Sequence, residues 1–249
     1  MRASLWGEDH EELDRIASAT AGERAAVAIT RGRYQKGYGY EDANEDVALA
    51  VTGTQSTLLV VADGHNGLTA SHVAVQALVD AFGDDPPPEL DDRQWLDVFA
   101  VAGEQVDEAR TREGGQPASE TVLVAALVTP YRVSFAAIGD GALVLARPGT
   151  RRGRQLNREA MRFLGPPMNK RALRNTVQRG AVERAPDEWV VAVTDGLSEF
   201  VAPLRPADVV PRVLAMSREG TAEAAALAIV ETACSAGAGD NVAVALSAP

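Results

Sequence analysis

Residues 58–82, LLVVADGHNGLTASHVAVQALVDAF, start as a strand and finish as a helix. Leu58 to Ala62 is an apolar, partly β-branched run of strand length, and it reads as a buried strand. From Leu68 onward, small and apolar residues recur at helical spacing over 68–82. Between them stands Asp63-Gly64-His65-Asn66-Gly67, an acid, a histidine and two glycines that interrupt an otherwise apolar path.

Working outward, residues 25–30, 47–51 and 57–62 read as strands, and residues 93–111 as a second, more amphipathic helix. Residues 119–128 and 131–138 are neighbouring strands, and the Thr129-Pro130 corner predicts a hairpin between them. Further strands are expected at 142–147, 189–193 and 242–247, and helices at 206–217 and 221–235. Residues 151–184 are arginine-rich and only weakly periodic. The order is strands, two helices, more strands, two helices and a closing strand. It does not alternate regularly, so it predicts packed sheets with helices outside rather than a doubly wound sheet.

The acid after the first apolar run recurs. Ile138-Gly139-Asp140-Gly141 and Val193-Thr194-Asp195-Gly196 end two other strand patterns. Asn44-Glu45-Asp46 and Gly239-Asp240-Asn241 lead into two more. Strand ends can fix such carboxylates at one rim of a core, where they repel one another unless a cation neutralises them. Hard cations such as Mg²⁺ and Mn²⁺ prefer oxygen ligands. With one cysteine (Cys234) and three histidines (His10, His65, His72), a softer site is poorly supplied. Each motif alone has a plainer reading. Asp140-Gly141 fits a two-residue hairpin turn as well as a metal ligand. Asp195 fits a helix cap, Glu45-Asp46 fit surface acids, and His65 fits a loop histidine.

The ordered set resembles the type-2C metal-dependent serine/threonine protein phosphatases, in the manner of a short bacterial or archaeal member with a reduced flap. The resemblance covers roughly residues 24–248. It implies an α+β fold, a four-layer α-β-β-α sandwich of two antiparallel sheets flanked by helices. It implies that Asp63 bridges two metal ions. Glu45 and the Gly64 carbonyl would complete one ion's protein ligands, and Asp195 and Asp240 would bind the other. Asp140, with Asp195, would match a weaker third-metal site. Asp46 would hold metal-bound waters, and His65 would be the general acid. The implied cofactor is Mn²⁺ or Mg²⁺, and the implied substrate is a phosphoserine or phosphothreonine protein, opposing a cognate kinase.

Two departures stand out. The family's phosphate-gripping arginine falls at Glu41 here; Arg31, Arg33 or Lys36 is the candidate substitute, while residues 30–36 read equally as a solvated strand end. The stretch between Asp140 and Asp195 is short for the family; the arginines of residues 151–184 fit attraction of acidic or phosphorylated substrates and, equally, a solvated loop balancing an acidic protein. Two other functions compete: a catalytically weak phosphoprotein-binding regulator, which Glu41 favours, and a small-molecule phosphomonoesterase, which the short flap favours.

The bulk numbers bound these readings. The 249 residues are 46% hydrophobic, enough for a sizeable core, and the formal net charge of −11 argues against a nucleic-acid binder. A lone cysteine forms no internal disulfide, and no apolar run reaches membrane-spanning length, so a cytoplasmic monomer is expected. Residues 1–23 read as an N-terminal tail or short peripheral helix, and residues 24–249 as a single catalytic domain.

Overall fold

The computed structural model describes residues 1–35, 44–201, 204–217 and 220–249. Among these residues, two antiparallel six-stranded sheets pack face to face. The first runs β1 (Arg2–Trp6), β4 (Val47–Thr52), β5 (Thr57–His65), β6 (Glu120–Val128), β7 (Arg132–Ile138) and β10 (Gln178–Glu183). The second runs β2 (Ile16–Thr20), β3 (Ala25–Thr30), β12 (Val242–Ser247), β11 (Trp189–Val193), β8 (Ala142–Ala146) and β9 (Arg154–Gln155). Helices α1 (Thr69–Phe82) and α2 (Asp92–Thr111) cover the first sheet, with the short α3 (Lys170–Thr176) beside α2. The short α4 (Gly196–Phe200), α5 (Pro206–Met216) and α6 (Ala222–Ser235) cover the second. This is the expected four-layer α-β-β-α sandwich.

The apolar runs follow from this layering. In β5, Leu58, Val60 and Ala62 pack against α1 and α2, while Leu59 and Val61 face the other sheet. Both faces are buried, so the strand's period of two is hidden inside a continuous hydrophobic run. Helix α2 begins with a capping box, in which the Asp91 side chain accepts from the Gln94 N–H and Gln94 returns a bond to the Asp91 N–H. Its buried face carries Trp95, Phe99, Ala102 and Val106. The Trp95 indole N–H donates to Ser134 Oγ at 2.7 Å, so its one polar group is satisfied in the core.

One expectation is corrected and two open readings are decided. Residues 1–23 are neither a tail nor a helix: β1 pairs with β4, and β2 pairs with β3. A boundary at residue 24 would cut between paired strands. These are edge strands; in β1 only Ala3 and Leu5 are buried, so their apolar signal is weak. Asp140-Gly141 is not a hairpin turn, because it carries the chain from β7 in one sheet to β8 in the other. Residues 151–184 are more regular than their pattern implied, supplying β9, α3 and the edge strand β10. The β6–β7 hairpin forms as expected, with Leu123 opposite Ile138 and Val128 opposite Val133.

The registers decide where the acids go. Antiparallel pairing puts the start of β4 beside the end of β5, with Val47 opposite Ala62. β7, one strand beyond β6, ends at the same rim. In the second sheet the end of β11 meets the start of β8, Val193 opposite Ala142, and the end of β3 meets the start of β12, Thr30 opposite Val242. All five acidic corners therefore reach one edge of the sandwich.

Candidate metal centre

Asp63 is an inward-facing position near the end of β5, followed on the same face by His65. It continues the parity of Leu59 and Val61, which face the second sheet. Its carbonyl accepts the Thr121 hydroxyl at 2.7 Å, which holds the strand end in place. Asp140 follows β7 immediately, and Asp195 follows Thr194 at the end of β11. Carboxylate oxygens of Asp63, Asp140 and Asp195 lie within 4.8 Å of one another. They line a cavity of about 730 Å³ together with His65 and Asp240.

The plainer readings fail on particular contacts. Asp195 stands at the N-terminus of α4, but its side chain makes no capping hydrogen bond. Glu45 and Asp46 are 1% and 0% exposed, not surface acids. His65 is at the cavity, stacked on Phe163 with ring centroids 5.3 Å apart.

The electrostatics are those of carboxylates crowded in a half-buried cleft. Burial pushes the Asp195 carboxyl up to about 9, with further upward contributions from the charges of Asp63, Asp140 and Asp240. Burial also raises the Asp140 carboxyl. Asp140 Oδ1 is buried with no hydrogen-bond partner among the described residues, an acceptor left for a ligand to satisfy. An all-oxygen donor set with excess negative charge and an orphaned acceptor fits a hard divalent cation.

Glu45 and Gly64 are not among the described residues that line the cavity. Glu45 Oε1 accepts the Gly67 N–H at 2.5 Å, and the Glu45 carbonyl accepts the Ser71 hydroxyl at 2.5 Å. A β-carbon at Gly64 would stand 2.6 Å from the Glu45 carbonyl oxygen, so only glycine lets β5 approach the segment leading into β4. The following turn needs left-handed backbone at Asn66 and Gly67. Asp46 accepts the Thr194 hydroxyl through Oδ2 at 2.9 Å. Arg33 is exposed, its guanidinium 5.9 Å from the Tyr34 ring centroid, and it does not line the cavity. Lys36 and Glu41 lie outside the described residues.

The cavity also has walls that the motifs did not announce. Glu159, Phe163, Ser198 and Arg205 line it. Past Glu159 and Ala160 it continues into a trough of about 830 Å³ lined by Arg158, Arg162 and Arg179. Arg179 is held by Asp92 at 3.6 Å, while Arg158 and Arg162 are exposed. No sequence signal distinguished these arginines from others in 151–184, because their grouping arises where the chain folds back from β9 to β10.

Residues 32–231 match the family model for protein phosphatase 2C. No curated protein matches the chain. Among solved structures, a bacterial serine phosphatase is similar at TM-score 0.73 and 20% identity, over 91% of this chain and 97% of that one. The catalytic domain of the serine/threonine phosphatase PstP, in complex with two manganese ions, is similar at TM-score 0.68 and 21% identity, over 94% and 99%. The serine/threonine phosphatase Stp1 of Staphylococcus aureus is similar at TM-score 0.68 and 19% identity, over 91% and 95%. At these identities the structural likeness concerns the fold.

Proposed function

The chain belongs to the protein phosphatase 2C family of metal-dependent serine/threonine phosphatases, and on that premise we propose that Asp63, Asp140, Asp195 and Asp240 hold its catalytic Mn²⁺ or Mg²⁺ ions. The convergence of the Asp63, Asp140 and Asp195 carboxylates within 4.8 Å carries this reading. Glu45 and the Gly64 carbonyl would complete the second ion's protein ligands. Bound there, two such ions would lower the pKa of a water and offset charge on the phosphoryl oxygens.

The chain's own residues do the rest. As the phosphorus–oxygen bond breaks, His65 donates its proton to the departing serine or threonine oxygen, a poor leaving group when unprotonated. Phe163, stacked on the imidazole, fixes the ring's plane. Asp46 acts from one layer deeper, through its bond to Thr194 beside Asp195. The trough with Arg158 and Arg162 supports a protein substrate whose acidic residues flank the phosphorylated one. A kinase of matching specificity would supply that substrate. Among the described residues no helix is long and apolar enough to cross a membrane, and we propose a cytoplasmic monomer.

The test is hydrolysis of para-nitrophenyl phosphate and a phosphothreonine peptide with Mn²⁺, Mg²⁺ or chelator, comparing wild type with Asp63→Ala. Metal-dependent turnover that disappears in the variant is the expected result. Wild-type protein that binds Mn²⁺ but turns over neither substrate would replace this reading with the phosphoprotein-binding one.

A further inference from the structure

We propose that Arg205 grips the substrate phosphate at the rim of the acidic cavity, filling the role left open where Glu41 replaces the family arginine. The proposal rests on the phosphatase reading above and names a residue for it.

The need comes from charge. Asp63, Asp140, Asp195 and Asp240 line the cavity, and Glu159 and Glu199 add to its walls. Two divalent cations would offset the four aspartates, and a phosphate dianion arriving beside them gains from a further cation at the rim. Arg205 is the one arginine or lysine among the described residues that line this cavity.

Its position is built. Arg205 is the N-cap of α5, with Pro206 at the first helical position. Its carbonyl accepts the N–H groups of Asp208 at 2.8 Å and Val209 at 3.1 Å, which fixes the stem of the side chain. The side chain itself is exposed and has no ion pair or hydrogen bond to any described residue. The nearby carboxylate, Asp208, faces Arg152 instead, at 3.5 Å. Asp195 stands at the start of α4 and Arg205 at the start of α5, so consecutive helices bring a metal ligand and a cation to one cavity. A guanidinium offers a planar fork of N–H donors that matches two phosphoryl oxygens, which a flexible ammonium does not.

The measurement is calorimetric binding of inorganic phosphate to the Mn²⁺-loaded protein, run beside Mn²⁺ binding and steady-state hydrolysis of para-nitrophenyl phosphate. Arg205→Ala should weaken phosphate binding roughly tenfold or more and raise KM in parallel. Arg205→Lys should recover only part of the loss, and Mn²⁺ affinity should be unchanged in both. Arg212→Ala, an exposed arginine on α5 that does not line the cavity, should leave phosphate binding as in wild type. Phosphate affinity of Arg205→Ala within twofold of wild type would overturn the proposal, as would a wild type that binds no phosphate. Wild-type protein that binds phosphate through Arg205 without turnover would sink the phosphatase reading alone.

Discussion

The Thr194 hydroxyl donates to Asp46 Oδ2 at 2.9 Å, joining two residues 148 positions apart in sequence. It also accepts the Ala243 N–H at 2.9 Å. Asp46 continues the inward face of Ala48 and Ala50 in the first sheet, and Thr194 that of Val190 and Ala192 in the second. Beside this contact, Asn241 Oδ1 accepts the Glu45 N–H at 3.0 Å. The two sheets are thus stitched by hydrogen bonds at the rim where the carboxylates meet.

Thr194→Val keeps the shape and removes the donor. It should lower stability by about 1–3 kcal/mol, because a buried carboxylate oxygen loses this hydroxyl donor. Urea unfolding would measure that loss, and Thr194→Ser should restore most of it. Equal midpoints for the Thr194→Val variant and wild type would show that the stitch carries no stability.

Asp195→Asn removes one acid from a cluster whose oxygens lie within 4.8 Å. Mn²⁺ affinity should fall about a hundredfold or more, since outer-shell changes alone cost roughly 10–100-fold. The metal-free variant should nonetheless melt a few degrees above metal-free wild type, because like-charge repulsion and desolvation are relieved. Calorimetry checks the first outcome, and thermal melts in chelator the second.

His65→Gln should reduce kcat on a phosphoserine peptide by roughly 10²–10⁴, the usual contribution of a general acid. On para-nitrophenyl phosphate the loss should be much smaller, because nitrophenolate leaves without protonation. Equal losses on both substrates would remove His65 from proton transfer.

Charge reversal in the trough, Arg158→Glu with Arg162→Glu, should lower kcat/KM for an acid-flanked phosphopeptide by about tenfold and leave para-nitrophenyl phosphate unaffected. Raising the salt concentration should shrink the difference, since both arginines are exposed.

Away from the site, Asp85 accepts the Thr54 N–H at 2.7 Å and the Thr54 hydroxyl at 2.9 Å. These bonds hold its carboxyl below the ordinary 3.8. A depressed folded-state pKa contributes stability above the unfolded value, and the contribution is lost as pH falls through the folded value. Asp85→Ala should therefore melt below wild type at neutral pH, with the gap closing as the pH drops below about 3.8. A gap independent of pH would assign the effect to loop packing.

Much of the fold was legible in the sequence because β3, β5, β11 and β12 are buried on both faces. A continuous apolar run bounded by Asp-Gly or Gly-Asp states both a strand and its end. β1 and β2 escaped because edge strands bury too few side chains to make a pattern. The sequence by itself determined which residue types were available to the site: oxygen donors in quantity, one histidine among them, and no thiolate cluster. Tertiary structure decided which of them meet. Register and sheet packing brought Asp63, Asp140 and Asp195 within 4.8 Å and tied Glu45 to the Gly67 N–H. They left Arg33 off the lining of the cavity and brought Arg205 to its wall. The reason is physical: spacing along a chain fixes local geometry, whereas convergence of residues far apart in sequence depends on how two sheets pack.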